Sequence, residues 1–309
     1  MQNYKKSLKL PKKISIKIII LKSIYYKMST YIKSFVNEAD YLAAKKNGLT
    51  YPNVSYVEAT NVSYFNPKVT KGISKSEAVL GDAVIADLNN VGYKYYCHQA
   101  DYNTNDWPTT DYKVIGVVVN YDNENDVVKA ISLANMSLTD PVNGTLVDQN
   151  KMGVDRMYWG ANTKISGLTN YGTADEAKAD FNGWVNTQAI MEYVTDKTID
   201  PIPSGQTNGV FQAAMVCQRY NPDGASAGQW YLPAAGELWN YVGLNSNALN
   251  TALQIYGGLG WVQNLDHYWC SNEKDWATAY YIDNLRANIP VIYYNSKGDS
   301  NRVRAFIQL

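Results

Sequence analysis

The sequence predicts an α+β fold: twisted antiparallel sheets with two helices, preceded by a small separate N-terminal module. Three observations carry this expectation. Short runs rich in Val, Ile, Tyr and Trp recur between polar turns, the pattern of strands rather than long helices. In the larger C-terminal part, apolar residues take helical spacing in two stretches, around 173–194 and 209–220. A third stretch, Gln229 to Trp239, joins a strand to a helix start through a proline. A chain of 309 residues suits one large domain with an appendage, and it shows no internal repeat or heptad.

Residues 1–27 hold eight Lys and no acid around one apolar patch, Ile18-Ile19-Ile20-Leu21. Four apolar residues between Lys17 and Lys22 are too few for a signal-peptide core or a transmembrane helix. This segment is expected to be a disordered basic leader, with the natural protein starting at Met28; the rival reading is a basic arm for nucleic acid or membrane. From Ser29 to Val36 the chain alternates like a strand. A short helix follows from Asn37 to a stop at Gly48. Tyr51–Val57 and Asn61–Phe65 alternate again. The run Phe35-Val36-Asn37-Glu38-Ala39-Asp40-Tyr41, with Tyr51-Pro52-Asn53-Val54-Ser55-Tyr56-Val57-Glu58, resembles the N-terminal piece of structural proteins of Bacteroides phages, including the crAss-like group. A module of this size, 28–65, has little core of its own and should dock on or intertwine with other chains. Residues 66–80 read as a polar linker.

The main domain is expected over 81–309. Its first strand is Asp82–Ala86, with Gly92–Cys97 as hairpin partner. Lys113–Val119 is the most β-branched run of the chain and reads as a central strand. An acidic turn, Tyr121–Asp126, leads to Val127–Leu133, which propensity alone leaves open between helix and strand. Met157-Tyr158-Trp159 is a short strand. Thr173 caps a helical stretch that runs through Val194, with Trp184, Ala189, Ile190 and Tyr193 near one face. After a loop at 200–206, a second helix spans Gly209–Tyr220 with Phe211, Ala214, Met215 and Gln218 at helical spacing. Trp230-Tyr231-Leu232 forms a buried strand; Pro233 stops it, and Glu237 sits in the positive first turn of the helix that follows. Leu238, Tyr241 and Val242 are that helix's apolar stripe. Long coil is expected beyond it, interrupted by core strands at Tyr268-Trp269, Thr278–Asp283 and Val303–Ala305. Trp230, Trp239, Trp269 and Phe306 should be core.

Two words frame this last third: Gln229-Trp230-Tyr231-Leu232-Pro233-Ala234-Ala235-Gly236-Glu237-Leu238-Trp239, and Tyr268-Trp269-Cys270-Ser271-Asn272-Glu273 closing with Arg302-Val303-Arg304-Ala305-Phe306. Their order and wording resemble bacterial and phage proteins of C-type-lectin-like fold, the fold of formylglycine-generating enzymes. These include Bacteroides domains related to fimbrial and lipoprotein C-terminal domains, and the variable proteins of diversity-generating retroelements. The resemblance covers roughly 78–309. It departs at Cys270, where the family usually has Ser, and at the final word, which lacks the proline common between its arginines. In the family the spot occupied by Val127–Leu133 is a hairpin strand, so β is expected there.

The composition limits the chemistry. There are 26 Tyr and 8 Trp against 5 Phe, and charged residues make up only 18%. Tyr and Trp combine apolar area with a polar handle and are favoured at contact surfaces, though aromatic-rich β-proteins also fill cores with them. Removing the leader leaves 20 basic against 28 acidic residues, a net of −8 that argues against nucleic-acid binding. Three scattered cysteines, Cys97, Cys217 and Cys270, form neither a disulfide framework nor a zinc pattern, and a reducing cytosol is the expected place of maturation. No catalytic constellation stands in the sequence. Cys97 and His98 are adjacent and point apart in a strand, and no phosphate loop, Gly-x-Ser-x-Gly or His-Glu-x-x-His occurs. The paired cysteines of formylglycine-generating enzymes have no counterpart in Cys217 and Cys270, which read as small core residues. The Glu-Pro-Asn, Gln-Pro-Asp and Trp-Asn-Asp words of calcium-dependent lectins are missing too; Asp140-Pro141-Val142-Asn143 reads as a turn. No metal, no cofactor and no enzymatic activity are expected.

The candidate binding surface is the polar insert between the two words: Asn272, Lys274, Asp275, Trp276, Tyr280, Asn284, Asn288, Tyr293, Tyr294, Asn295 and Lys297. Adaptable Asn beside rigid Tyr and Trp is the composition of evolved paratopes. It is also the region that varies in the retroelement proteins. Alternation along 278–283 should nevertheless give Tyr280 or Tyr281, and Ile282, to the core. The resemblance implies a phage virion protein, a head or tail fibre or decoration protein, assembled in the host cytoplasm. Its residues 28–65 would join other virion proteins as a homotrimer, and its lectin-like domain would touch a host surface glycan or protein, without nucleic acid or membrane. The rival is a bacterial cell-surface or fimbria-associated lectin-like domain. That reading calls for an export signal, and no lipobox cysteine or long apolar run stands near Met1. A third reading is a purely structural decoration protein.

Overall fold

The computed structural model describes residues 72–103, 107–146, 156–194, 211–261, 267–283 and 289–309. The chain divides into two compact units, 1–70 and 71–309, and the described residues all belong to the second. The expected leader (1–27), the module (28–65), the loop at 200–206, and Asn284 and Asn288 lie outside the described residues.

The domain is α+β, with mostly antiparallel sheets and few helices. Its first strand, β1 (Ala83–Asp87), pairs antiparallel with β2 (Lys94–Cys97), the hairpin the sequence predicts. A helical turn, α1 (Gln99–Tyr102), follows. The β-branched run becomes β3 (Tyr112–Asp122), and Val127–Ser132 returns beside it as β4. Helix propensity loses at β4 because Val128, Ala130 and Ile131 are all needed in the core. The short β5 (Arg156–Tyr158) comes next. Part of the expected linker packs on this domain: Ile73 bridges Tyr96 and Ala78 is buried.

The helical stretch opened by Thr173 is two helices, α2 (Ala174–Lys178) and α3 (Gly183–Tyr193). Thr173 and Glu176 form a capping box, each side chain accepting the other's backbone N–H. The break falls at Asp180. Its carboxylate accepts the Asn182 N–H, and its carbonyl accepts the N–H of Gly236, so the backbone leaves the helical ladder. On α3 the buried residues are Gly183, Thr187 and Ile190, while Tyr193 is exposed, which corrects the predicted face. Helix α4 (Gln212–Arg219) is buried from Gln212 to Cys217.

The word at 229–239 folds as β6 (Trp230–Tyr231), then α5 (Ala235–Glu237), which continues in irregular turns through Asn245. A side chain at Gly236 would collide with the carbonyls of Lys178 and Asp180, so only glycine lets α5 lie against the end of α2. The expected coil beyond it contains a further helix, α6 (Ser246–Ile255). Leu249, Ala252 and Leu253 bury its inner face at spacings of three and four; the surrounding asparagines masked that stripe in the sequence. Five strands close the chain: β7 (Tyr268–Glu273), β8 (Thr278–Asp283), β9 (Val291–Ser296), β10 (Ser300–Arg302) and β11 (Phe306–Gln308).

Two sheets result. One is ordered β2-β1-β3-β4-β11-β6 and the other β5-β10-β7-β8-β9, with β10–β7 the parallel pair among antiparallel ones. Val303–Ala305, predicted as a strand, is instead the buried crossover between the sheets. Met136 donates to the Val303 carbonyl and Ser132 to that of Ala305, so these two carbonyls are satisfied without a regular ladder. Trp159, Trp230, Trp269 and Phe306 lie fully buried. Their indoles are satisfied: Trp159 donates to the Cys270 carbonyl (2.7 Å), Trp269 to that of Met157 (2.9 Å) and Trp230 to Ser226 Oγ (2.9 Å). Trp239 departs from its expected core position: it is half-buried, with the Lys178 ammonium 3.9 Å from its ring.

Candidate binding surface

Strands β7, β8 and β9 form a meander whose first turn is only four residues, 274–277. Asp275 Oδ1 accepts the N–H groups of Ala277 and Thr278, both at 2.8 Å, and Lys274 donates its N–H back to the Thr278 carbonyl. Partial burial pushes the Asp275 carboxyl up, but these hydrogen bonds outweigh it and hold the group below its ordinary value. Asp275 therefore shapes the turn. Trp276 at the tip is 62% exposed, the largest fraction of any tryptophan here.

On β9, Tyr293 and Tyr294 project to opposite faces and both are exposed. Tyr293 ends an aromatic ladder across three strands, Trp269–Tyr281–Tyr293, with ring centroids 6.2 and 6.0 Å apart. His267 packs on Tyr281 at 4.6 Å and its Nε2 lies 3.6 Å from Asp283. On the other face, Tyr294 meets Tyr280 edge-on and carries the Lys274 ammonium 4.0 Å over its ring. Tyr280 itself is core. Its hydroxyl donates to the Tyr171 carbonyl, and burial pushes its pKa up to about 12. Between Tyr280 and Tyr281 the register thus gives Tyr280 and Ile282 to the fully buried set.

Two predicted contact residues are corrected. Asn272 is buried: its Oδ1 accepts the Ala235 N–H at 2.6 Å and its Nδ2 donates to Asp180 at 2.6 Å. It fastens the start of α5 to β7 and to the α2–α3 break, so an amide at that position is structural. Lys297 is also fully buried. Its ammonium pairs with Glu273, donates to the Thr163 carbonyl at 2.6 Å and lies 4.8 Å over Trp159. Burial holds its pKa below the ordinary lysine value, against the pull of Glu273. Glu273 accepts from Asn170 Nδ2 at 2.9 Å and from the Ile165 N–H at 3.3 Å. The pair therefore ties the loop at 163–170 to the β7–β8 turn and to the end of β9. Sequence reading missed it because a lysine among Asn and Ser looks like solvated surface; its position directly after strand β9, one alternation step inward, was the available signal.

A second buried pair organises the first word. Glu237, read as a helix-dipole residue, is fully buried, pairs with Lys129 and accepts from the Tyr231 hydroxyl (3.0 Å) and the Ala234 N–H (2.9 Å). Burial pushes its carboxyl above its ordinary value while Lys129 pulls it down. Arg304 is buried as well, donating to Asn135 Oδ1 at 2.9 Å, the Ser132 carbonyl at 3.3 Å and the Leu259 carbonyl at 2.8 Å. Cys97, Cys217 and Cys270 are buried free thiols, and burial raises the pKa of Cys217 and Cys270 far above the reactive range.

What remains at the surface is Trp276, with Tyr293 and Tyr294 on opposite faces of β9, and Lys274, Asp275 and Asn295 partly exposed. Comparison with protein families returns no match, and neither does comparison with curated proteins. Among solved structures, a fimbrial protein from Bacteroides ovatus ATCC 8483, determined at 1.85 Å, aligns with a TM-score of 0.43 at 15% identity. The alignment covers 75% of this chain and 49% of that one, so this chain spans about half of that structure's length. A likeness this distant carries neither fold nor function over.

Proposed function

We propose that this chain is a phage virion protein whose C-terminal part is a C-type-lectin-like domain that binds the host surface, without catalysis, metal or cofactor. The observation that carries the proposal is the exposed pair Trp276 and Tyr294, beside a β7–β8 turn that the buried Glu273–Lys297 pair fastens to the end of β9. Rigid aromatic side chains lose little entropy on binding, and a locked scaffold presents them pre-organised. The exposed ring of Trp276 suits stacking on the apolar face of a sugar or on a protein surface. Residues 28–65 supply the contact to other virion proteins, as a homotrimer.

The test is adsorption of purified full-length protein to Bacteroides cells, and its competition with phage for them. Trp276→Ala and Tyr294→Ala should weaken adsorption while melting as the parent does. Variants that melt normally and adsorb at full strength leave only a structural decoration role.

A further inference from the structure

A sheet edge exposes backbone N–H and C=O groups that only another extended strand can satisfy fully, so natural edges are shortened, capped or charged. Three of the four edges here are managed. Strand β2 is bridged by Ile73, whose N–H donates to the Tyr96 carbonyl at 2.9 Å. Strand β6 has only two residues. Strand β5 has three, and side chains take its backbone: Gln212 Oε1 accepts the Tyr158 N–H at 2.9 Å, and the Trp269 indole donates to the Met157 carbonyl. Strand β9 is longer and less protected. It is six residues long, pairs with β8 without a bulge, and its sequence Val-Ile-Tyr-Tyr-Asn-Ser contains no charge, proline or glycine.

The register shows which groups of β9 face outward. Lys297 donates its N–H to the Ala277 carbonyl, so 297, 295, 293 and 291 point their backbone at β8, while 296, 294 and 292 point away. Ser296 is already closed locally: its N–H donates to Asn295 Oδ1 at 3.1 Å and its carbonyl accepts the Asp299 N–H at 2.9 Å. That leaves the N–H and C=O of Tyr294, which is 55% exposed, and of Ile292, whose side chain is buried and which is 5% exposed; the four groups meet no partner among the described residues.

We propose that β9 pairs antiparallel with β9 of a second copy of this chain about a twofold axis through Tyr293. The choice of occupant follows from self-complementarity. With the axis at Tyr293, Ile292 of each copy stands opposite Tyr294 of the other, and the two hydrogen-bonded pairs use all four outward groups. Tyr293 faces Tyr293 in the non-hydrogen-bonded position, and Val291 faces Asn295. No like charges are opposed, because 291–296 carries none. An axis at Tyr294 would instead set the Lys274 ammoniums, each 4.0 Å over its Tyr294 ring, beside one another. The two five-stranded sheets become one continuous sheet of ten. The pairing uses the sheet edge, covers Tyr293, leaves the Trp276 turn open, and does not depend on what Trp276 binds.

The experiment is site-specific crosslinking of the full chain, whose own cysteines are buried. Across the axis the β-carbons at 293 lie about 4.5–5.5 Å apart, close to disulfide reach, whereas the two positions 294 are diagonal, about 7–8 Å apart. Mild oxidation should convert Tyr293→Cys to a disulfide-linked dimer about tenfold faster than Tyr294→Cys. In light scattering, Tyr293→Lys should halve the mass of the parent, and mixing it with Tyr293→Glu should restore that mass. Equal crosslinking at both positions, or none, overturns the pairing. So does a mass that Tyr293→Lys leaves unchanged, or one that the mixture fails to restore. Adsorption to cells is a separate readout, so failure here is distinguishable from failure of the binding role.

Discussion

Replacing Lys297 by Met removes one partner of a fully buried ion pair, and its cost can be worked from the contacts that stay behind. The Glu273 carboxylate keeps Asn170 Nδ2 at 2.9 Å and the Ile165 N–H at 3.3 Å but loses its paired cation. Breaking a buried pair from one side costs about 3–5 kcal/mol, and the two residual donors place this case at about 3. For a domain of this size that is a fall in Tm of about 6–12 °C. Glu273→Gln strands the ammonium with the Thr163 carbonyl at 2.6 Å and the Trp159 ring, and should cost a similar amount. The double variant leaves no unpaired charge, so it should be less destabilised than the sum of the singles by at least about 1.5 kcal/mol. Urea unfolding followed by tryptophan fluorescence measures all four proteins, because Trp159 sits against the pair. Single variants that cost less than about 1 kcal/mol, or costs that simply add, would refute the claim that Lys297 fastens β9 to the β7–β8 turn.

Other outcomes follow from the same geometry. Asn272→Ala strips partners from Asp180 and from the Ala235 N–H, so it should cost about 2 kcal/mol in the same unfolding assay. Trp276→Ala and Tyr294→Ala should each change stability by no more than about 0.5 kcal/mol while weakening adsorption by about 1 kcal/mol or more, roughly fivefold. Glu237 has a raised folded-state pKa, so its pH-dependent contribution is fully present below the unfolded value of 4.5 and is lost as pH rises through the folded value. Relative to Glu237→Gln, the parent should therefore lose stability from pH 4.5 upward, which urea midpoints at stepped pH will measure; a flat difference contradicts the assignment.

The strands were legible where side-chain pattern and backbone state coincide. The β-branched run Lys113–Val119 could only be a central strand, and the Thr173 capping box marked its helix start to the residue. Legibility failed where a polar residue serves the interior. Lys297 and Asn272 have the composition of a contact loop, but burial depends on the register of β9 against β8 and on α5 lying over β7, both long-range facts. Asp180 broke a helix that propensity would continue, because its partners Asn272 and Gly236 come from distant segments. Trp239 erred in the opposite sense: an aromatic in a core-like word ended on the surface, its ring partnered by Lys178. Helix α6 was missed although Leu249, Ala252 and Leu253 carried its period, since asparagine density outweighed three apolar residues.

The corrections also separate scaffold from surface more sharply than the sequence allowed. Every charged or amide group reassigned to the interior serves a junction: Glu273–Lys297 between the β7–β8 turn and the end of β9, Glu237–Lys129 beneath the first word, Asn272–Asp180 between them, and Arg304 at the crossover. Buried charges are poor sources of net stability, but each is costly to leave unpaired, so together they favour one register over slipped alternatives. Register matters most at β8 and β9, because a slip of one residue would turn Tyr280 outward and Tyr281 inward. Lys297, directly after β9, can reach Glu273 only in the observed register. The exposed rings at 276, 293 and 294 hold none of these junctions. They can therefore change without loss of fold, which is the physical condition a recognition surface needs.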